Sequence, residues 1–288
     1  MSYPFRHAVC NEVYEGWKFP DTCRSIKKLG YQGIEIAPFT LNEYPATITQ
    51  DERREYRRVM ADEGLEFVGL HWLMVSPKGL HVTAPDKALR EKSWQHIRDL
   101  VDLCADLAKD RVIDGKVDNG IMVFGSPYQR GTTGGISRAE ATRNYVDGLA
   151  SVVPHAENRN VTILVEALPS AQCDVINLVD ESAAIVREIG SPAVRTMFDT
   201  HNAADETDPH PKVVDRNWEW IRHIHVNEMD GREPGTADYP FGPVFELLAE
   251  KQYKGWISLE VFDFKAGAEK IAGDSLRYLE GIIARLKT

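Results

Sequence analysis

Cysteine is scarce in this chain: four residues in 288, at Cys10, Cys23, Cys104 and Cys173, with no CxxC pair. That spacing supplies neither a disulfide framework nor a thiolate zinc site, and is expected of reduced thiols in a cytoplasmic protein. Long apolar runs are missing as well. No stretch approaches the ~18 residues that would span a membrane, and the opening MSYPFRHAVC lacks the apolar core of a secretory signal. Positive charge is in deficit, with 34 basic against 44 acidic residues and a formal net charge of −10. Nucleic-acid backbones are held by clustered Lys and Arg, so the composition excludes wholesale nucleic-acid binding. It leaves room for a small sugar or acid, because a local pocket can oppose the global field. Phosphate-cradling motifs are lacking too: no GxGxxG follows the first apolar run, and SPYQRGTTGG (126–135) has no closing GK[ST].

What is present is a rhythm. Short apolar runs recur as HAVCN (7–11), GIEI (33–36), EFVGLHW (66–72), GIMVFG (120–125), VTILVEA (161–167), VRTMFD (194–199), HIHVN (223–227) and WISLEV (256–261). Runs of this length, β-branched and bounded by turn residues, predict buried parallel strands. Between them lie helical segments at 20–29, 51–63, 86–108, 137–158, 175–189, 213–220, 242–251 and 268–286. Thr49 ahead of Asp51 and Glu52, and Pro20-Asp21, read as helix starts. Gly30, Gly64 and Gly190 stand where helices should stop. The tally is eight strand–helix pairs of about 36 residues each, the size of a βα unit in a barrel. A doubly wound open sheet is the competing topology, but uniform repeats with no dividing linker favour closure. The expected fold is a single (β/α)8 domain over residues 1–288. Two segments exceed this tiling: KDRVIDGKVDN (109–119), an extra turn or edge hairpin on the bottom face, and the 126–135 loop, a lid or inert surface on the catalytic face.

The last four strands end in chemistry. Glu166 closes VTILVEA, Asp199 closes VRTMFD, His225 lies in HIHVN and Glu260 in WISLEV. A carboxylate in an apolar run is costly to bury unless paired or bound to a cation. In a closed barrel these ends converge on one mouth. Three carboxylates and one imidazole there form an oxygen-rich set suited to one divalent ion, Mn²⁺ first, with Mg²⁺ or Co²⁺ as alternatives.

In order and spacing these motifs resemble the xylose-isomerase-like barrels of the sugar phosphate isomerase/epimerase and apurinic endonuclease superfamily. The resemblance runs from GYQGIEI (30–36) to GWISLEV (255–261), and within the superfamily the ketose 3-epimerases match best. It implies metal ligands at Glu166 in VEAL, Asp199 in FDTHN, His225 in HIHVNE and Glu260 in SLEVF, with Glu166 and Glu260 also moving the substrate proton. Two positions depart from the pattern. The family's substrate-binding histidine three residues past the aspartate is Asn202 here, with His201 one earlier, and the arginine expected six past the histidine is Arg232, seven past. Either His201 or Asn202 can take the first role.

The implied reaction removes a proton beside a ketone, giving a cis-enediolate that a divalent ion stabilises. Two bases on opposite faces would epimerise; one base on one face would isomerise. The sequence leaves both open, along with a lyase or dehydratase acting on a keto-sugar or keto-inositol through the same enolate. An apurinic endonuclease would need more strand-end histidines and a basic rim, and a binding-only barrel would not need the four-residue set. Other candidates are His71 and Trp72, a sugar-facing pair or barrel packing, and Glu228 with Asp230, substrate-binding or solvated. Glu35 and His223 read as buried support. Arg130 alone in its loop does not make a phosphate site. The expected partner is a sugar or keto-sugar, and exposed aromatics on the rim are compatible with a homo-oligomer.

Overall fold

Burial on both faces decides the sheet type. Every residue of GIEI, IMVF and WISL is buried, as parallel strands between a filled lumen and a helical jacket require. The computed structural model describes residues 5–109, 111–113 and 115–286. Its strands are β1 (Arg6–Cys10), β2 (Gly33–Ile36), β3 (Glu66–Leu70), β4 (Ile121–Phe124), β5 (Thr162–Val165), β6 (Val194–Asp199), β7 (Ile221–Val226) and β8 (Trp256–Leu259). Each pairs in parallel with its neighbour in the chain, and β8 returns to β1 in the register Arg6↔Trp256 to Val9↔Leu259. The barrel is closed.

The jacket consists of α1 (Phe19–Leu29), α2 (Gln50–Asp62), α3 (Lys87–Ala108), α4 (Arg138–Arg159), α5 (Val179–Ile189), α6 (His210–Arg216), α7 (Phe241–Glu250) and α8 (Ala268–Ile283). Local chemistry sets several of their ends. Thr49 and Glu52 form a reciprocal capping box on α2, while Asp86 and Ser137 cap α3 and α4. Gly30 ends α1 in the left-handed region at φ 108°, which an L side chain adopts only at a cost.

Three helices differ from expectation by three residues or more, the last of them because α8 ends at Ile283 rather than at 286. α5 starts at Val179 rather than Val175, because Ile176 is left-handed (φ 64°) and the Asn177 amide donates to the carbonyls of Leu168 and Cys173. α6 starts earlier, at His210, since a proline within the first turn needs no hydrogen-bond partner. It stops at Arg216, where Asn217 bonds back to the Val213 carbonyl and to Asp180. The 109–119 segment forms the antiparallel hairpin Val112–Ile113/Lys116–Val117. Residues 1–4, 110, 114, 287 and 288, including the start of the opening motif, lie outside the described residues.

Strand alternation sorts the lumen. Ala8, Val68, Ile121, Val123, Leu164, Met197 and Trp256 fill its lower part as an apolar plug. Two residues beyond Ala8, Leu164, Met197 and Trp256 the same faces become polar, at Cys10, Glu166, Asp199 and Ser258, and Glu35 and His225 join them from β2 and β7; all are buried. Register shifts at Ile34/Glu35 and Thr196/Met197 re-aim Glu35 and Asp199 just below the mouth. Among the described residues, no helix is long and apolar enough to cross a membrane.

Candidate active site at the barrel mouth

Glu166 follows β5 directly, Asp199 ends β6, His225 sits one residue before the end of β7, and Glu260 follows β8. One ligand atom from each lies within 4.8 Å of the others, and all four residues are buried. The His225 Nδ1 faces Glu260 Oε2 at 3.1 Å and Asp199 Oδ2 at 3.6 Å. Its Nε2 faces Glu35 Oε1 at 3.1 Å, and His223 Nε2 faces the other Glu35 oxygen at 2.8 Å. An ionised carboxylate only accepts, so both rings donate from Nε2 to Glu35. The bare Nδ1 lone pair of a neutral His225 then points at two carboxylate oxygens. That geometry is repulsive unless a proton or a cation lies between them, and the donor set fits a divalent ion.

Electrostatics agree. Burial, then the charges of Glu260 and Asp199, push the Glu166 carboxyl up to about 8. Burial likewise raises Glu260 against the opposing pull of His225. Burial would raise Asp199 too, but the hydrogen bond and charge of His225 hold it below the ordinary range. Burial would also neutralise His225, yet Glu35 and Glu260 hold its pKa well above the usual imidazole value. Three acids crowded around one imidazole are short of positive charge.

Above this set lies a cavity of about 260 Å³. Glu166 and Glu260 line it with Asn202, Gln172, Ser126 and the apolar Trp72, Val123, Leu168 and Phe262; Asp199 and His225 are not among its lining residues. Asn202 Nδ2 donates to Glu166 Oε1 at 2.9 Å, and Trp72 Nε1 donates to Glu260 Oε1 at 2.8 Å. Each glutamate is thus held by one neutral donor. Gly125 is needed beside Glu166: a Cβ there would stand 2.2 Å from Glu166 Oε2.

Other residues nominated from sequence are placed as follows. His71 is fully buried under the mouth, its Nε2 2.5 Å from Glu12 Oε2, while its neighbour Trp72 reaches the cavity. His201 is tied to the Met229 carbonyl and to Gln172. Glu228 is turned away from the cavity, accepting from the backbone of Gly235 and Tyr239 and so ordering the loop after β7. Arg232 is half-buried and paired with Asp230. The 126–135 loop is bolted down: fully buried Arg130 donates to the Phe124 and Ile176 carbonyls, and Thr132 N donates to Asp174. Sequence reasoning missed Glu12, in the turn Asn11–Tyr14 after β1. The period of two through Ala8, Cys10 and Glu12 was the available signal.

An all-parallel barrel with acids and one imidazole gathered at the C-terminal mouth defines a class, the (β/α)8 proteins whose strand ends can hold a cation. The chain belongs to the xylose isomerase-like TIM barrel family, whose profile matches residues 23–282. It is 23% identical over 265 residues to a D-psicose 3-epimerase of Agrobacterium fabrum, covering 89% of this chain and 85% of the relative. An L-ribulose 3-epimerase of a Methylomonas species is 22% identical over 236 residues, 82% of this chain and 75% of the relative. Both relatives are enzymes of the isomerase class. The solved structure of a D-psicose 3-epimerase in the presence of D-fructose superposes with a TM-score of 0.81 at 19% identity, covering 97% of this chain and 99% of that one.

Proposed function

We propose that this protein is a divalent-metal-dependent isomerase that epimerises a ketose or keto-sugar. One observation carries the reading: of four mutually close residues, Glu166 and Glu260 line the cavity, while Asp199 and His225 do not. All four are the proposed metal ligands, for Mn²⁺ first and Mg²⁺ or Co²⁺ as alternatives. When bound, the ion supplies Lewis-acid stabilisation of the charge that grows on substrate oxygens as a neighbouring C–H loses its proton.

The chain's own groups do the rest. Glu166 and Glu260 come from strands separated by β6 and β7, so they reach the cavity from different walls. Two bases on different walls suit removal of a proton from one face and its return to the other, which inverts the carbon. A single base working on one face would isomerise instead. Asn202 and Trp72 hold the two carboxylates in position. Trp72 and Phe262 give the cavity an apolar side for sugar C–H groups and help exclude water.

The test incubates metal-loaded protein in D₂O with ketoses, keto-glycosides and keto-inositols and follows products by NMR. Deuterium at the inverted carbon together with the epimer is expected. Loss of a hydroxyl or an aglycone would reassign the protein as a lyase, and no exchange with any member would leave a binding barrel. The same proposal assigns residues 1–288 to one barrel domain. It places the protein in the cytoplasm, in keeping with four buried, unpaired thiols.

A further inference from the structure

We propose that Ser126 is a specificity-determining residue of the cavity, its hydroxyl pairing with a substrate hydroxyl alongside Asn202 Oδ1. This rests on the ketose reading above and deepens it. Ser126 follows Gly125 at the end of β4 and lines the cavity that holds Glu166 and Glu260. Its backbone is left-handed, at φ 49° and ψ 61°. That region is uphill for an L side chain and is normally left to glycine or asparagine. Pro127 closes off the right-handed alternative by crowding the residue before it.

A strained serine would be unremarkable if its hydroxyl stabilised the turn. It does not: Ser126 Oγ is buried and has no hydrogen-bond partner. The cavity wall it shares with Val123, Pro127 and Leu168 is apolar. Ser76, Tyr145, Ser182 and Ser258 also carry unpaired buried hydroxyls, but of these residues only Ser126 combines one with a left-handed backbone and a place in the cavity lining, and that combination points to a ligand.

A second orphan belongs to Asn202, another residue of the same lining. Asn202 spends its side-chain N–H on Glu166 and its backbone N–H on Asp199, which leaves Oδ1 buried without a partner. An amide oxygen only accepts, so it requires an O–H or N–H. The serine hydroxyl can donate or accept. Trp72 and Phe262, with ring centroids 6.0 Å apart, supply aromatic surface to the same cavity. The complementary ligand has one hydroxylated edge and one C–H face, which describes a polyhydroxy ketone.

The test uses metal-loaded full-length protein with D-psicose and D-fructose as probes. Ser126→Ala should raise KM about 5- to 10-fold, the loss expected for one neutral hydrogen bond, while metal affinity stays at the wild-type value. Ser126→Gly should raise KM similarly and lift the thermal midpoint by about 2 °C as the left-handed strain is relieved. Active wild type with an unchanged KM in Ser126→Ala overturns the Ser126 proposal alone. A thermal midpoint in Ser126→Gly at or below wild type also overturns it, because the serine would then be stabilising the turn. Wild type inert towards a full ketose panel overturns the proposed function, and this proposal with it.

Discussion

Replacing Gly125 with alanine adds one methyl group at the most sensitive point of the site. The new carbon would stand 2.2 Å from Glu166 Oε2 and 3.3 Å from its Cδ, with Leu168 Cδ2 at 3.6 Å. Ordinary van der Waals contact requires the carboxylate to withdraw by roughly 1 Å. Withdrawal strains the 2.9 Å hydrogen bond from Asn202 and moves Glu166 away from the point it shares with Asp199, His225 and Glu260. Because the obstacle is the far end of a side chain and Gly125 is outside the left-handed region, the fold should lose less than about 1 kcal/mol. Activity should fall far more, since a misplacement of about 1 Å costs on the order of 100-fold. The assay pairs kcat/KM, from NMR-monitored epimerisation, with a thermal melt and metal titration of the same sample. A Gly125→Ala protein with full activity would refute the claim that Glu166 acts from this position. An unfolded one would refute the claim that the collision is local.

Glu35→Gln removes the charge that holds His225 with its Nδ1 facing the carboxylates, and should weaken metal binding about 10- to 100-fold by calorimetry; unchanged affinity would free Glu35 of this role. A Glu166 carboxyl near 8 keeps its proton at neutral pH. Proton and cation therefore compete, and apparent metal affinity should rise with pH towards about 8 and flatten above it. Calorimetry in buffers of different ionisation enthalpy should show proton release below that pH, and a pH-independent affinity would contradict this. Trp72→Phe deletes the donor to Glu260 and should lower kcat/KM about 10-fold, as expected for a hydrogen bond to a carboxylate. Arg130→Ala removes a fully buried side chain that ties the 126–135 loop to β4, and should cost about 2–4 kcal/mol by denaturant unfolding.

Much of the fold was legible because barrels repeat. Each apolar run is short enough to be a strand and each interval long enough for one helix, so the order of elements follows from spacing. Glu166, Asp199, His225 and Glu260 were legible for the same reason, as polar residues at the ends of apolar runs. What escaped was direction. Glu228 and Arg232 sit in a polar loop whose sequence does not say whether a carboxylate faces substrate or backbone; Glu228 faces the amides of Gly235 and Tyr239. Glu12 lies in a turn rather than a run, so no periodic window isolated it. The left-handed conformations of Trp72, Ser126 and Ile176 belong to residues with no preference for that region, so residue type alone does not announce them.

The central claim is that Glu166 and Glu260 move a substrate proton at a metal centre they help to form. Exchange of substrate hydrogen with D₂O, measured by NMR for Glu166→Gln and Glu260→Gln with bound metal quantified in the same samples, tests it most directly. Saturated with metal, each variant should stop interconverting the two epimers and lose exchange from the epimer whose proton its missing carboxylate removes. Epimerisation retained in both variants would contradict the claim.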